Sequence, residues 1–105
     1  MIFVSTGKTM ENGFRKARRD LIAALERGDY LHVSRGDIEV KNLLATGAVS
    51  AQEVIGIVRA CSGMHHACSP HHAVAQIDVH VLRRHGWYIK FYFIEPGAWF
   101  ISVHR

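Results

Sequence analysis

His80, Tyr88, Lys90, Ser102 and His104 are residues whose types can do acid–base chemistry together, and each falls at an even position in a stretch that reads as a β-strand. Side chains on one face of a strand recur every second residue, so groups of one parity meet when neighbouring strands pair in the right register. Two imidazoles and a phenol beside an ammonium suit phosphodiester transfer. One imidazole can take the proton of a ribose 2′-hydroxyl, a second acid can protonate the leaving 5′-oxygen, and a lysine or arginine can stabilise the pentacovalent phosphorane. Such a reaction needs no metal and no cofactor. The plainer alternative is that these residues form the solvated side of a half-buried sheet.

Histidine stands out in the composition: the chain has eight, and all but His32 lie at or beyond position 65. Six potential ligands, Cys61, His65, His66, Cys68, His71 and His72, occur within twelve residues. A zinc site is one reading, although the spacing matches no standard finger and Cys61 falls on the apolar face of an expected helix. The preferred reading is a histidine-rich loop entering the first strand beside its polar face, where His65, His66, His71 or His72 can contact phosphate or serve as acid or base. A surface loop with incidental histidines is the alternative. Two cysteines are too few for a disulfide framework and are read as reduced thiols.

Three strands must position the polar set. The stretches Val74 to Leu82, Trp87 to Ile94 and Ala98 to His104 are β-branched or aromatic and alternate, predicting a three-stranded antiparallel meander. Three-residue loops, Arg84-His85-Gly86 and Glu95-Pro96-Gly97, would put Ile77, Val79, Val81, Ile89, Phe91, Phe93, Trp99, Ile101 and Val103 on one apolar face. The opposite face would then carry His80, Lys90 and Ser102 in one row, Tyr88 opposite His104 in the next, and Asp78 with Tyr92 on the other side. Trp87 and Trp99 fall on the apolar parity and read as core or rim packing.

The apolar face needs helices to cover it. Phe14, Ala17, Leu21 and Leu25 recur at spacings of three and four, predicting a helix from Asn12, as N-cap, to Gly28. Tyr30 to Ser34 reads as a short strand, and Asp37 to Ala45 as a second helix. Ser50-Ala51-Gln52-Glu53 is a capping box opening a third helix, which Ser62-Gly63 ends. Arg15, Lys16, Arg18 and Arg19 lie mainly on the exposed side of the first helix, more simply a solvated face than an RNA contact.

The chain has 105 residues, 49% of them hydrophobic and 21% charged, which fits one domain over residues 1–105 and excludes a multidomain enzyme. Thirteen Lys and Arg against nine Asp and Glu give +4, which favours a polyanionic partner. No apolar run reaches the ~18 residues of a membrane span. MIFVSTGKTMENG lacks the apolar region of a signal peptide, so a cytoplasmic location away from membranes is expected. Gly-rich phosphate loops, nucleophile elbows and paired catalytic carboxylates are absent.

The order of parts resembles the MqsR branch of the RelE-like bacterial toxins, the messenger-RNA endoribonucleases of type II toxin–antitoxin systems. Leu21 to Gly28, then Ala-Val-Ser-Ala-Gln-Glu-Val-Ile as a capped helix, then Asp78-Val79-His80, Tyr88-Ile89-Lys90 and Ile101-Ser102-Val103-His104 follow that family's pattern of a D-V-Y, a Y-[LI]-K and an I-S-F-K strand. The likeness spans roughly residues 17–105. It implies a RelE-like fold, with Tyr88 and His104 at the family's tyrosine and terminal basic positions. Gln76 matches the family's glutamine with a one-residue offset. The family's loop lysine has no counterpart, and His65 or His66 is the nearest substitute. The resemblance also implies a cognate antitoxin that neutralises the toxin by binding it.

Together these readings predict an α+β domain, with about three helices on one face of a small antiparallel sheet. Its expected activity is metal-independent cleavage of mRNA, leaving 2′,3′-cyclic phosphate and 5′-hydroxyl ends. His104, Tyr88, Lys90, His80 and His66 are the expected catalytic residues. His104 and His80 would share the base and acid roles, Lys90 would meet the scissile phosphate, and Tyr88 would orient or transfer a proton. His65, Gln76, Arg83, Arg84 and Ser102 are the expected RNA contacts. A non-catalytic module that binds nucleic acid or a protein partner is the alternative.

Overall fold

Phe14, Ala17, Leu21, Ala24 and Leu25 are all buried, and their spacing lays one apolar stripe along the first helix, α1 (Met10–Arg27). The computed structural model describes residues 10–34, 41–95 and 97–105, with side chains from Gly13. α1 starts two residues before Asn12, so Asn12 is helical and not the cap. A short strand, β1 (Tyr30–His32), follows. Of the helix expected over Asp37 to Ala45, the first part lies outside the described residues. In the remainder Asn42 bridges to Val103 and residues 43–47 form turns.

The second helix, α2 (Ala51–Ala60), carries the expected capping box. Ser50 Oγ accepts from the Glu53 N–H at 3.1 Å, and Glu53 Oε1 accepts from the Ser50 N–H at 2.8 Å. Ser50→Ala leaves an end donor without its partner and should cost about 1 kcal/mol, read as a lower urea midpoint at unchanged slope. An unchanged midpoint would show that the cap contributes nothing here.

The remaining strands are β2 (His66–Pro70), β3 (Asp78–Arg84), β4 (Trp87–Ile94) and β5 (Gly97–His104). They form one five-stranded sheet in the order β1-β5-β4-β3-β2, antiparallel throughout except for the parallel β1–β5 pair. The expected meander is therefore the middle of a larger mixed sheet. Gly97 belongs at the β1–β5 junction, since a Cβ there would run into the Asp29 carbonyl, which accepts from the Ala98 N–H. α1 and α2 pack on one face, the inner face, around Leu82, Ile89, Phe91, Ala98, Phe100 and Val103. Among the described residues there are two helices against the sheet, and neither is long and apolar enough to cross a membrane.

The register corrects the expected face assignment. Arg84 pairs with Trp87, so the β3–β4 turn holds two residues, His85 and Gly86, with φ of 50° and 83°. Positive φ at both positions is the twist-matched hairpin turn, and its even loop length inverts the parity of β3 against β4. His80 accordingly pairs with Phe91 and faces the helices, whereas Val79 and Val81 face outward. Asp78 moves to the inner face with His80, away from Tyr92.

The β4–β5 turn is also shorter than expected, because Ile94 pairs with Gly97. A bulge opposite Lys90/Phe91 then restores the missing residue, so Lys90–Ser102 and Tyr88–His104 pair as expected. Between turn and bulge the faces are swapped. Ala98 and Phe100 are buried inward, and Trp99 turns outward beside Tyr92.

Candidate functional site

The outer face carries the chemically capable groups. Arg83, Tyr88 and His104 form a row across β3, β4 and β5. The Arg83 guanidinium lies 5.1 Å from the Tyr88 ring centroid, and the Tyr88 and His104 rings stack at 5.1 Å. His104 Nδ1 lies 3.1 Å from the Arg105 main-chain oxygen, which can only accept. Nδ1 of the neutral ring therefore carries the proton, leaving Nε2 with a free lone pair, as a general base requires. Lys90 and Ser102 form the next row. None of the strand residues described on this face is acidic.

Beside that row a groove of about 390 Å³ crosses the sheet. Val33 and Ile101 line one part, Lys90, Tyr92 and Val79 the middle, and Ser69 to His72 the far side. The His71 N–H is tied to the Ile77 carbonyl, folding the 71–77 segment back beside the strands. His71 Nδ1 accepts from the N–H groups of Ala73 and Val74 at 3.0 and 3.2 Å, so its ring proton sits on Nε2. The ring meets Tyr92 edge-on at 5.3 Å and stacks on His72 at 4.6 Å.

His66 and His80 lie elsewhere. β2, read from sequence as a loop, pairs antiparallel with β3 and puts His66 on the inner face. His66 Nε2 is 2.9 Å from His80 Nδ1, and the two rings are sandwiched among Phe14, Phe91 and Phe93. Burial, and then the neighbouring His66, depress the pKa of His80 to about 4, with Asp78 opposing. Burial lowers that of His66 as well. Both rings are therefore neutral near pH 7. His66 Nδ1 is the one buried side-chain N or O atom without a hydrogen-bond partner among the described residues. A lone pair is the less costly group to strand, so His66 Nε2–H is the donor and His80 Nδ1 the acceptor.

The structure thus brings together Tyr88, Lys90, His104, Arg83 and Ser102, and separates them from His80 and His66 by the thickness of the sheet. Gln76 lines a cleft of about 680 Å³ on the inner side, between α1 and the ends of β3 and β4, with Asp78 and His80. Arg84 also faces inward, close enough to Cys61 to act on its thiol. His65 sits in a 3₁₀ turn (Gly63–His65), where Nδ1 accepts from the Ser62 N–H at 2.9 Å. On α1, Lys16 pairs with Asp20 at 2.6 Å and Arg18 donates to the Cys61 carbonyl. Compared with family models, curated proteins and solved structures, the chain matches none.

The cysteine–histidine run does not converge either. Cys61 is buried against α1 and α2, and its thiol donates to the Ile57 carbonyl. Cys68 faces inward on β2, whereas His71 and His72 line the outer groove. No group of three or more His, Cys, Asp or Glu side chains placed to hold a metal occurs among the described residues. Burial raises the pKa of both thiols, the reverse of what a reactive cysteine needs. Sequence reasoning placed His71 and His72 beside the polar face, where they lie, and missed Tyr92 and Trp99 as part of that surface. His85-Gly86, a dipeptide suited to a two-residue turn, was the available signal for the inward position of His80; the outward position of Trp99 depends instead on the β4–β5 turn and bulge.

Proposed function

We propose that the outer face is the active centre of a metal-independent endoribonuclease, and that the protein is the toxin of a type II toxin–antitoxin pair, as its likeness to MqsR-type toxins suggests. The reading rests on one observation: a histidine with a free Nε2, stacked on a tyrosine beside Lys90 and Arg83, on a sheet face whose described strand residues include no carboxylate. His104 Nε2 takes the 2′-hydroxyl proton as O2′ attacks phosphorus. Lys90 and Arg83 stabilise the phosphorane, and Tyr88, in place of the inward-facing His80, donates a proton to the departing 5′-oxygen. The P–O5′ bond breaks, giving a 2′,3′-cyclic phosphate and a 5′-hydroxyl. Returning the proton from His104 to Tyr88 through water resets the site. A cognate antitoxin would silence it by covering this face.

Incubating the protein with a defined mRNA in EDTA, with and without translating ribosomes, tests the reading. Site-selective cuts ending in cyclic phosphate are expected in at least one arm. RNA left intact in both, or cuts ending in 3′-hydroxyl, would overturn it. Intact RNA that nevertheless binds would make this face a binding module.

A further inference from the structure

We infer that Tyr92 and Trp99, with His71 at their side, form a subsite that stacks an unpaired nucleobase of the RNA next to the scissile phosphate. This rests on the reading that the outer face takes RNA, and it adds Tyr92 and Trp99, to which neither the sequence nor the catalytic row gave a role. The Tyr92 and Trp99 rings lie parallel within 4°, centroids 6.3 Å apart, on neighbouring strands. Both are half-buried on the outer face, where neither of the described helices packs. Two large parallel rings in that position gain little by facing water and offer aromatic surface on which a base can stack.

The surroundings favour a nucleic acid over other occupants. Lys90 lies between this platform and the Tyr88–His104 row on the same strand, so one ammonium serves both. A phosphate held at Lys90 places the flanking base over Tyr92 and Trp99 and the ribose towards His104. His71 offers a ring N–H whose position its two backbone contacts hold. Stacking needs only a π face, so single-stranded RNA fits, and the groove reaches from Val33, just after β1, across β5, β4 and β3 to β2 and His72.

The test uses short oligonucleotides with 2′-O-methyl riboses, which cannot be cut, and abasic chains of equal length and charge. Trp87→Phe protein, in which Trp99 is the sole tryptophan, reports binding by fluorescence. Base-bearing chains should quench Trp99 and bind roughly 5- to 100-fold more tightly than abasic ones. Trp99→Ala and, separately, Tyr92→Leu, followed by fluorescence anisotropy of labelled oligonucleotide, should erase that difference and leave abasic binding unchanged. Should Trp99→Ala fail to fold, Tyr92→Leu carries the comparison alone. Equal affinity for both chains, or a difference that survives both substitutions, would overturn the subsite even where RNA is cleaved. No binding of either chain would overturn it as well, and with RNA also left uncut the nuclease reading falls with it.

Discussion

His104→Ala protein is expected to cleave RNA about 10²- to 10⁴-fold more slowly than wild type, the usual contribution of a positioned general base, while folding and binding RNA as before. His104 is half-buried at the end of β5, and its ring contacts are with Tyr88 and the Arg105 main chain, so removing it leaves the core around Phe91 and Phe100 intact. Added imidazole should recover part of the rate in His104→Ala and none in Lys90→Ala, because the role proposed for the lysine is charge and not proton transfer. Tyr88→Phe separates the phenol's two duties. It keeps the ring that His104 stacks on and removes the proton for the 5′-oxygen, so substrates with an activated leaving group should suffer less. Wild-type rates in His104→Ala would remove the histidine from the mechanism.

The second large effect concerns stability in acid. His80 takes up its proton at about 4 in the folded protein and near 6.5 when unfolded. Above pH 6.5 both states are neutral and this group adds no pH dependence. Between 6.5 and 4 the unfolded chain binds the extra proton, so stability falls as pH falls, by about 3 kcal/mol over that window. Below 4 this contribution levels off. His66, lowered in the same direction, steepens the loss. Urea unfolding at a series of pH values measures it, and replacing both rings, His66→Leu with His80→Leu, should remove most of the slope. Constant wild-type stability from pH 7 to 4 would show that the buried pair can be protonated without cost.

Much of the fold was legible in sequence because it rests on local signals. The stripe of Phe14, Leu21 and Leu25, the Ser50–Glu53 box and the alternation in β4 and β5 each depend on a few neighbouring residues. The pairing of Tyr88 with His104 was legible too, although through two compensating irregularities, a shorter turn and a bulge. The placement of His80 was not. β3 is apolar on both parities, with Val79 and Val81 on one side and Leu82 on the other, so its hydrophobic pattern could not choose a face. That choice fell to the turn, where the left-handed conformation of His85 removed one residue from the expected loop. β2 escaped notice for another reason: His-Ala-Cys-Ser-Pro has no strand-like alternation and is extended because β3 offers it an edge.

The parallel pairing of β1 with β5 has a consequence for the order in which the molecule assembles. β3, β4 and β5 are joined by two-residue connections and can zip together locally. β1, made early, has no neighbour until residues 98–100 exist, and the Val33 N–H waits for the Phe100 carbonyl. On a ribosome, an incomplete chain would hold α1 and α2 without the strand that carries His104 and completes the outer groove. Under the nuclease reading proposed above, activity would require β5 to be in place, and a partner that recognises the outer face would find it incomplete before then.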